Sequence, residues 1–191
     1  YIKNFEKCLS LCNGELIAIA DHDDVWKPHK ITTLVNAIGN AMMVYSDSAY
    51  INETNNDTGK KISDIFRLHD CPNPDAFIFY DFIWGHSILL KKELLEYALP
   101  IPDKMPYDTW LAYTAASISH INYVDEPLTN WRQHQDSFTA VMLEKNKQKK
   151  ENKNRKYDEY QEKLQRIELL KDNGSCSDKA FMTKLYSAYR S

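Results

Sequence analysis

The stretch Glu15–Lys30, ELIAIADHDDVWKPHK, decides how the rest of the chain is read. Leu16, Ile17, Ala18, Ile19 and Ala20 form an unbroken apolar run of strand length. It stops on Asp21, Asp23 and Asp24, three carboxylates within four positions, and continues as Trp26, Lys27 and Pro28. A continuous apolar run between polar turns reads as a strand covered on both faces, the pattern of a parallel sheet. Carboxylates this close raise one another's pKa unless something positive holds them. Oxygen ligands of this kind suit hard ions such as Mg²⁺ or Mn²⁺. The alternative is a solvated acidic turn before a helix. Asp favours a helix N-terminus, and Pro28 suits a first helical turn. Two acids would serve that purpose; the third asks for another explanation.

Working outward, Ile2, Phe5, Leu9 and Cys12 recur at helical spacing, with Asn13-Gly14 as a stop. Pro28 to Gly39 reads as a helix with Ile31, Leu34, Val35 and Ile38 on one side. AMMVYSDSAYI (41–51) is a second strand, and NETNNDTGKK (52–61) a loop of turn formers. HSILLKKELL (86–95) reads as a strand turning into a helix, and a further helix runs from about Asp108 to Ser117. INYVDEPLTNWRQH (121–134) supplies a strand and a second strand-like piece ending at His134. Alternating strands and helices make the fold class α/β. From Leu143 the character changes. Tyr157, Tyr160, Leu164, Ile167 and Leu170 trace a narrow helical stripe on a charged background. Asn173-Gly174 ends it, and a second helix follows with Phe181, Leu185 and Tyr189 on one face. The chain divides into an α/β domain, 1–142, and a charged helical extension, 143–191.

With 191 residues and 43% hydrophobic content, the chain can bury one sizeable core. A net charge of −3 gives no global argument for nucleic acid, and none is expected as a partner. KNKQKKENKNRK, Lys145 to Lys156, sets seven basic residues against Glu151. It reads as a solvated face, or as a peripheral anchor to anionic lipid headgroups. Cys8, Cys12, Cys71 and Cys176 show no CxxC spacing, so free thiols in a reducing cytoplasm are the simplest account. No apolar run reaches transmembrane length, which puts the expected location in the cytoplasm, at most against the inner face of the membrane. The chain opens inside an amphipathic pattern without an initiator Met, as a segment of a longer protein would.

Three places combine reactive side chains with positions suited to a site. The Asp21–Asp24 cluster stands at a strand end, where open α/β sheets collect ligands. Asp108, in MPYDTWLAY, stands at a helix start after a Pro-containing loop, where a cap is the simpler role. Arg132 and His134 lie in NWRQHQDS near the end of a strand. Gly85 precedes His86 in a turn-like spot, and the four tryptophans suit core or pocket wall.

Two enzyme families resemble the first site. DHDDV matches the D-x-D-x-[TV] pattern of haloacid-dehalogenase-like phosphatases, which would make Asp21 a nucleophile; the downstream acidic pair of that family is missing. The second resemblance spans residues 1 to 142. GELIAIADHDDVWKPHKI, MVYSDSAYINETNNDTG, IWGHSILLKKELLEYALPIP, MPYDTWLAYTAA and EPLTNWRQHQDSFT are similar, in order, to segments of inverting family 2 glycosyltransferases, especially the rhamnosyltransferase-like branch.

That resemblance implies a Rossmann-like GT-A domain whose N-terminal part would precede Tyr1. It implies transfer from a UDP- or dTDP-linked sugar to a saccharide or lipid-linked saccharide, for a cell-surface polysaccharide. Asp21, Asp23, Asp24 and Arg132 would hold the donor, with Asp23 and His134 on Mn²⁺ or Mg²⁺. Asp108 would be the general base. Trp84, Gly85 and His86 would line the acceptor pocket, with Trp84 or Trp110 as a flat surface for a sugar ring. A truncated remnant that binds a partner through its helical tail is the non-enzymatic alternative.

Overall fold

The computed structural model describes residues 1–134 and 155–190; Lys145 to Asn154 of the basic run lie outside the described residues. The chain builds helix α1 (Ile2–Leu11), strands β1 (Leu16–Ala18) and β2 (Val25–Trp26), helix α2 (Lys30–Ile38), and strands β3 (Met43–Ile51) and β4 (Asp57–Lys61). After short 3-10 turns come β5 (Ile88–Lys91), α3 (Leu95–Ala98), α4 (Tyr107–Ile118) and β6 (Ile121–Arg132), then α5 (Arg155–Asp172) and α6 (Lys179–Arg190). The α/β class expected from the sequence is the one observed.

β3 is the axis of the sheet, whose strands run β1-β5-β3-β6-β2 with β4 also on β3. Its residues alternate between two cores, as the pleat requires. Met43 and Tyr45 enter the large cluster against α4, while Val44 joins Leu34, Ile38, Leu89 and Leu128 beneath α2. β3 and β6 are the parallel pair; β5 runs antiparallel to both β1 and β3.

The sequence expectation for residues 16–20 needs correcting here. The run is covered on both faces: Ile17 and Ile19 are in the large cluster, and Leu16 and Ala18 pack on the small one. It is not, however, a parallel strand, because among the described strands it pairs only with antiparallel β5. Burial on two faces follows from the helical layers; it does not report strand direction. Residues 121–132 form one strand, where two pieces were expected. The register against β3 slips around Asp47↔Pro127, where proline has no N–H to donate.

The C-terminal helices share the large core. Ile167, Leu170, Cys176 and Met182 are buried in it, and Asn173 Nδ2 donates to Thr114 Oγ1 of α4. Among the described residues no helix is long and apolar enough to cross a membrane.

Candidate active site

β1 runs out of pairing partners at Ala18, and the chain turns through Asp21–Asp24 before β2 catches β6 at Val25↔Asn130 and Trp26↔Thr129. That short tether fixes the acidic turn beside the end of β6. The Arg132 backbone N–H donates to Asp24 Oδ1 at 2.9 Å, and its Nε to the Asp23 carbonyl at 2.7 Å. The rest of the guanidinium is spent on the β3–β4 loop, at the carbonyls of Asn52 and Glu53 and at Asn55 Oδ1. Arg132 therefore clamps the acidic turn through its backbone and Nε.

Two residues beyond, His134 Nε2 lies 2.9 Å from Asp23 Oδ2, and both side chains are partly exposed. Burial works against the Asp23 charge, but the imidazole and a local backbone N–H outweigh it and hold the carboxyl below its usual range. Neighbouring Asp24 differs. Its side chain is fully buried, and burial first, then the nearby Asp21 and Asp23, push its pKa up to about 6. Asp24 Oδ2 has no hydrogen-bond partner among the described residues. Asp21 is also raised by burial and by Asp23. The His22 side chain is 99% exposed, with Nδ1 3.9 Å from Asp23 Oδ1.

The turn Gly85–Ser87 brings the third ligand candidate. His86 is buried, with Nδ1 3.6 Å from Asp24 Oδ2 and 3.9 Å from Asp21 Oδ2. Its Nε2 is 2.9 Å from Ser48 Oγ on β3. Burial, then the Lys30 charge, holds its pKa down to about 3, so the ring is neutral at pH 7. In the tautomer that donates from Nε2 to Ser48, Nδ1 turns a lone pair toward the carboxylates. Asp21, Asp24 and His86 offer ligand atoms all within 4.8 Å of one another. A bare buried carboxylate oxygen beside a neutral imidazole fits a divalent cation, which would satisfy both. The residues present fit the implied metal.

Lys30, which the sequence reading did not single out, supplies the positive charge next to this cluster. It is fully buried; Nζ donates to the His86 carbonyl at 2.6 Å and to Thr129 Oγ1 at 2.8 Å, and sits 4.0 Å from the Trp26 ring centre. Desolvation lowers its pKa to about 8, against the pull of Asp24 and Asp21. The spacing of Lys30, Leu34 and Ile38 carries the signal, since these three are the buried residues of α2. Ile31 and Val35, expected to face inward, are 39% and 42% exposed.

Asp108 opens α4. Burial, and then the charge of Asp81, push its carboxyl up to about 6, while the backbone N–H groups of Thr109 and Gly85 pull it down. Gly85 thus links the His86 turn to Asp108. A Cβ there would meet the Tyr107 hydroxyl at 1.7 Å, so no larger residue fits beside that ring. Tyr107 is buried and stacks on Phe5 with ring centres 3.9 Å apart. Trp84 is half-buried beside the turn. Trp110, the other tryptophan expected to offer a sugar-binding surface, is in the core with its indole N–H on the Ala98 carbonyl; burial removes it from any sugar.

The arrangement joins carboxylates, a neutral imidazole and a raised carboxyl at one end of a sheet. No curated protein matches the chain significantly. A family model described as glycosyl transferase family 2 matches residues 1–98, about half of the chain. That span contains the acidic turn, Lys30 and the Trp84–Gly85–His86 turn, within an α/β domain of GT-A type. The chain belongs to the family 2 glycosyltransferases.

Proposed function

We propose that the protein is an inverting, metal-dependent glycosyltransferase, of the rhamnosyltransferase-like branch, that moves a sugar from a nucleotide-diphospho donor to a saccharide hydroxyl in cell-surface polysaccharide synthesis. The observation that carries this reading is the bare Asp24 oxygen facing Asp21 and His86 inside a chain of this family.

Asp21, Asp24 and His86 would hold Mn²⁺ or Mg²⁺, with Asp23 and His134 at the more open side toward the donor. A divalent cation there neutralises charge that develops on the departing diphosphate. The protein's own part is positional. Arg132 fixes the acidic turn through Asp23 and Asp24, and Lys30 fixes the His86 turn. Asp108 takes the proton from the acceptor hydroxyl while that oxygen bonds to the anomeric carbon and the carbon–oxygen bond to the diphosphate breaks. One displacement inverts the configuration, so one base suffices. A carboxyl raised toward neutrality is better matched to this task than an ordinary one.

Thermal unfolding with UDP, dTDP or GDP, each with and without Mn²⁺, tests the reading. A ligand that binds only the folded chain raises its melting temperature. At least one nucleotide should do so more strongly with Mn²⁺ than without, and Asp24→Asn and Asp23→Ala should weaken the response. No shift with any nucleotide would overturn it.

A further inference from the structure

Tyr107 is a buried polar side chain beside the site that the transfer scheme does not use. Its ring is held on three sides. It stacks on Phe5 of α1, ring centres 3.9 Å apart at 17°, and meets the Tyr1 ring edge-on at 6.1 Å. The hydroxyl occupies the room that Gly85 leaves by having no side chain, since a Cβ there would lie 1.7 Å from the oxygen. The residue is 5% exposed. For filling this space a phenylalanine would serve as well, and it would bury no polar group.

The hydroxyl is placed but not paired. Among the described residues it has no hydrogen-bond partner. Asp24 Oδ2 and Ser117 Oγ are sealed inside the protein without one; the Tyr107 oxygen is not sealed, so it opens onto free space. Two halves of the site meet there. The charges of Asp108 and, more weakly, Asp21 both reach the phenol, and Gly85 joins it to the His86 turn. Burial first, then those two charges, push its pKa above the ordinary value, so the group keeps its proton. A buried phenol that two carboxylates act on, yet that bonds to neither, is left to donate to something else.

In glycosyl transfer the diphosphate would leave from the side of Asp21, Asp24 and His86, and the acceptor hydroxyl would arrive at Asp108. The sugar in transit lies between them, alongside Tyr107. We propose that the Tyr107 hydroxyl donates a hydrogen bond to a hydroxyl of the transferred sugar, and so helps to select which nucleotide sugar is used. That choice of ligand rests on the glycosyl-transfer reading; the new element is a contact to the sugar itself, apart from the groups on its diphosphate and on the acceptor. A fixed donor in a buried site rejects a sugar that offers it no acceptor, because it is then left unpaired.

Tyr107→Phe keeps the ring and its stack on Phe5 and removes one oxygen. The full chain and this variant are titrated by melting temperature with UDP-glucose, UDP-galactose, UDP-N-acetylglucosamine, dTDP-rhamnose and GDP-mannose, and with UDP, dTDP and GDP, all with Mn²⁺. Without ligand, the variant should melt with the parent or above it, because no protein hydrogen bond is lost. Its apparent affinity for the sugar nucleotide that the parent binds best should fall about three- to tenfold. The affinity for the matching nucleotide diphosphate should stay the same. A lower melting temperature with sugar-nucleotide binding intact would make the hydroxyl a structural group and overturn the contact. So would an equal loss for the sugar nucleotide and the bare nucleotide, which would put Tyr107 on the diphosphate or the base. A parent that responds to nucleotides, beside a Tyr107→Phe variant with unchanged sugar-nucleotide affinity, removes the Tyr107 contact alone. A parent that responds to no nucleotide, with or without a sugar, sinks the donor reading and the contact with it.

Discussion

The base role proposed for Asp108 can be tested through its pKa. Burial pushes its carboxyl to about 6 from an ordinary 3.8, and a general base works only when ionised. With saturating metal, kcat/KM for transfer should climb about tenfold per pH unit below 6 and level off above it. A folded-state pKa above the unfolded one means that stability is fullest below 3.8 and is lost as pH rises through about 6. Asp108→Asn removes that titration. The variant should melt above the parent, by a margin that grows as pH rises from 3.8 to about 6 and levels off above it, while turnover falls about 10²- to 10⁴-fold and the nucleotide melting shift survives. Unchanged turnover would take the base role from Asp108. At this scale much of the site was legible. The acids, Arg132, His134 and the Gly85-His86 pair all stood out in the sequence, and the structure brings the acids, Arg132, His134 and His86 together. What could not be read was the difference between adjacent Asp23 and Asp24. It depends on a backbone N–H from Arg132 and an imidazole from His134, both more than 100 positions away.

Among the elements, α2 shows where periodicity misleads. Ile31, Leu34, Val35 and Ile38 satisfy an apolar stripe, yet the helix turns Lys30 inward and leaves Ile31 and Val35 half in water. An apolar count cannot anticipate a lysine whose two acceptors and aromatic neighbour come from β6, β2 and the His86 turn. Lys30→Met should therefore cost more than its better hydrophobicity returns. It leaves the His86 carbonyl with only a long 3.4 Å bond from Thr129 and removes a buried cation that acts on Asp21 and Asp24. Urea unfolding should show a loss of roughly 2–4 kcal/mol, with a smaller loss when Mn²⁺ is bound. A neutral or stabilising Lys30→Met would mean that the buried charge contributes nothing net. The turn at Gly85 makes a second element-scale case. Gly85→Ala drives a methyl into the Tyr107 ring. Because that ring is wedged against Phe5, a melting-temperature drop equivalent to roughly 1–3 kcal/mol is expected.

Across the whole molecule, the helical tail reaches the start of α4, the helix that carries Asp108. Arg166 of α5 makes two bonds to the Asp81 carboxylate, at 3.0 and 2.8 Å, and donates to the carbonyls of Phe77 and Tyr80. Asp81 Oδ1 also accepts from Thr109 Oγ1 at 2.6 Å, next to Asp108. The sequence showed the stripe of α5 but not its partner, because an arginine on a charged background looks like solvated surface until the carbonyls it faces are known. Arg166→Ala should act in two ways. The Phe77 carbonyl loses its donors, lowering stability by about 1–3 kcal/mol in urea unfolding. Asp81, left without its counter-charge, acts more strongly on Asp108, and its charge already raises that pKa. The acid limb of the transfer profile should then move to higher pH, by a fraction of a unit because Asp81 is half exposed and salt screens it. Raising the salt concentration should shrink the displacement. A tail that merely accompanied the α/β domain would leave the limb in place, and an unmoved limb in a folded Arg166→Ala protein would disconnect α5 from the chemistry.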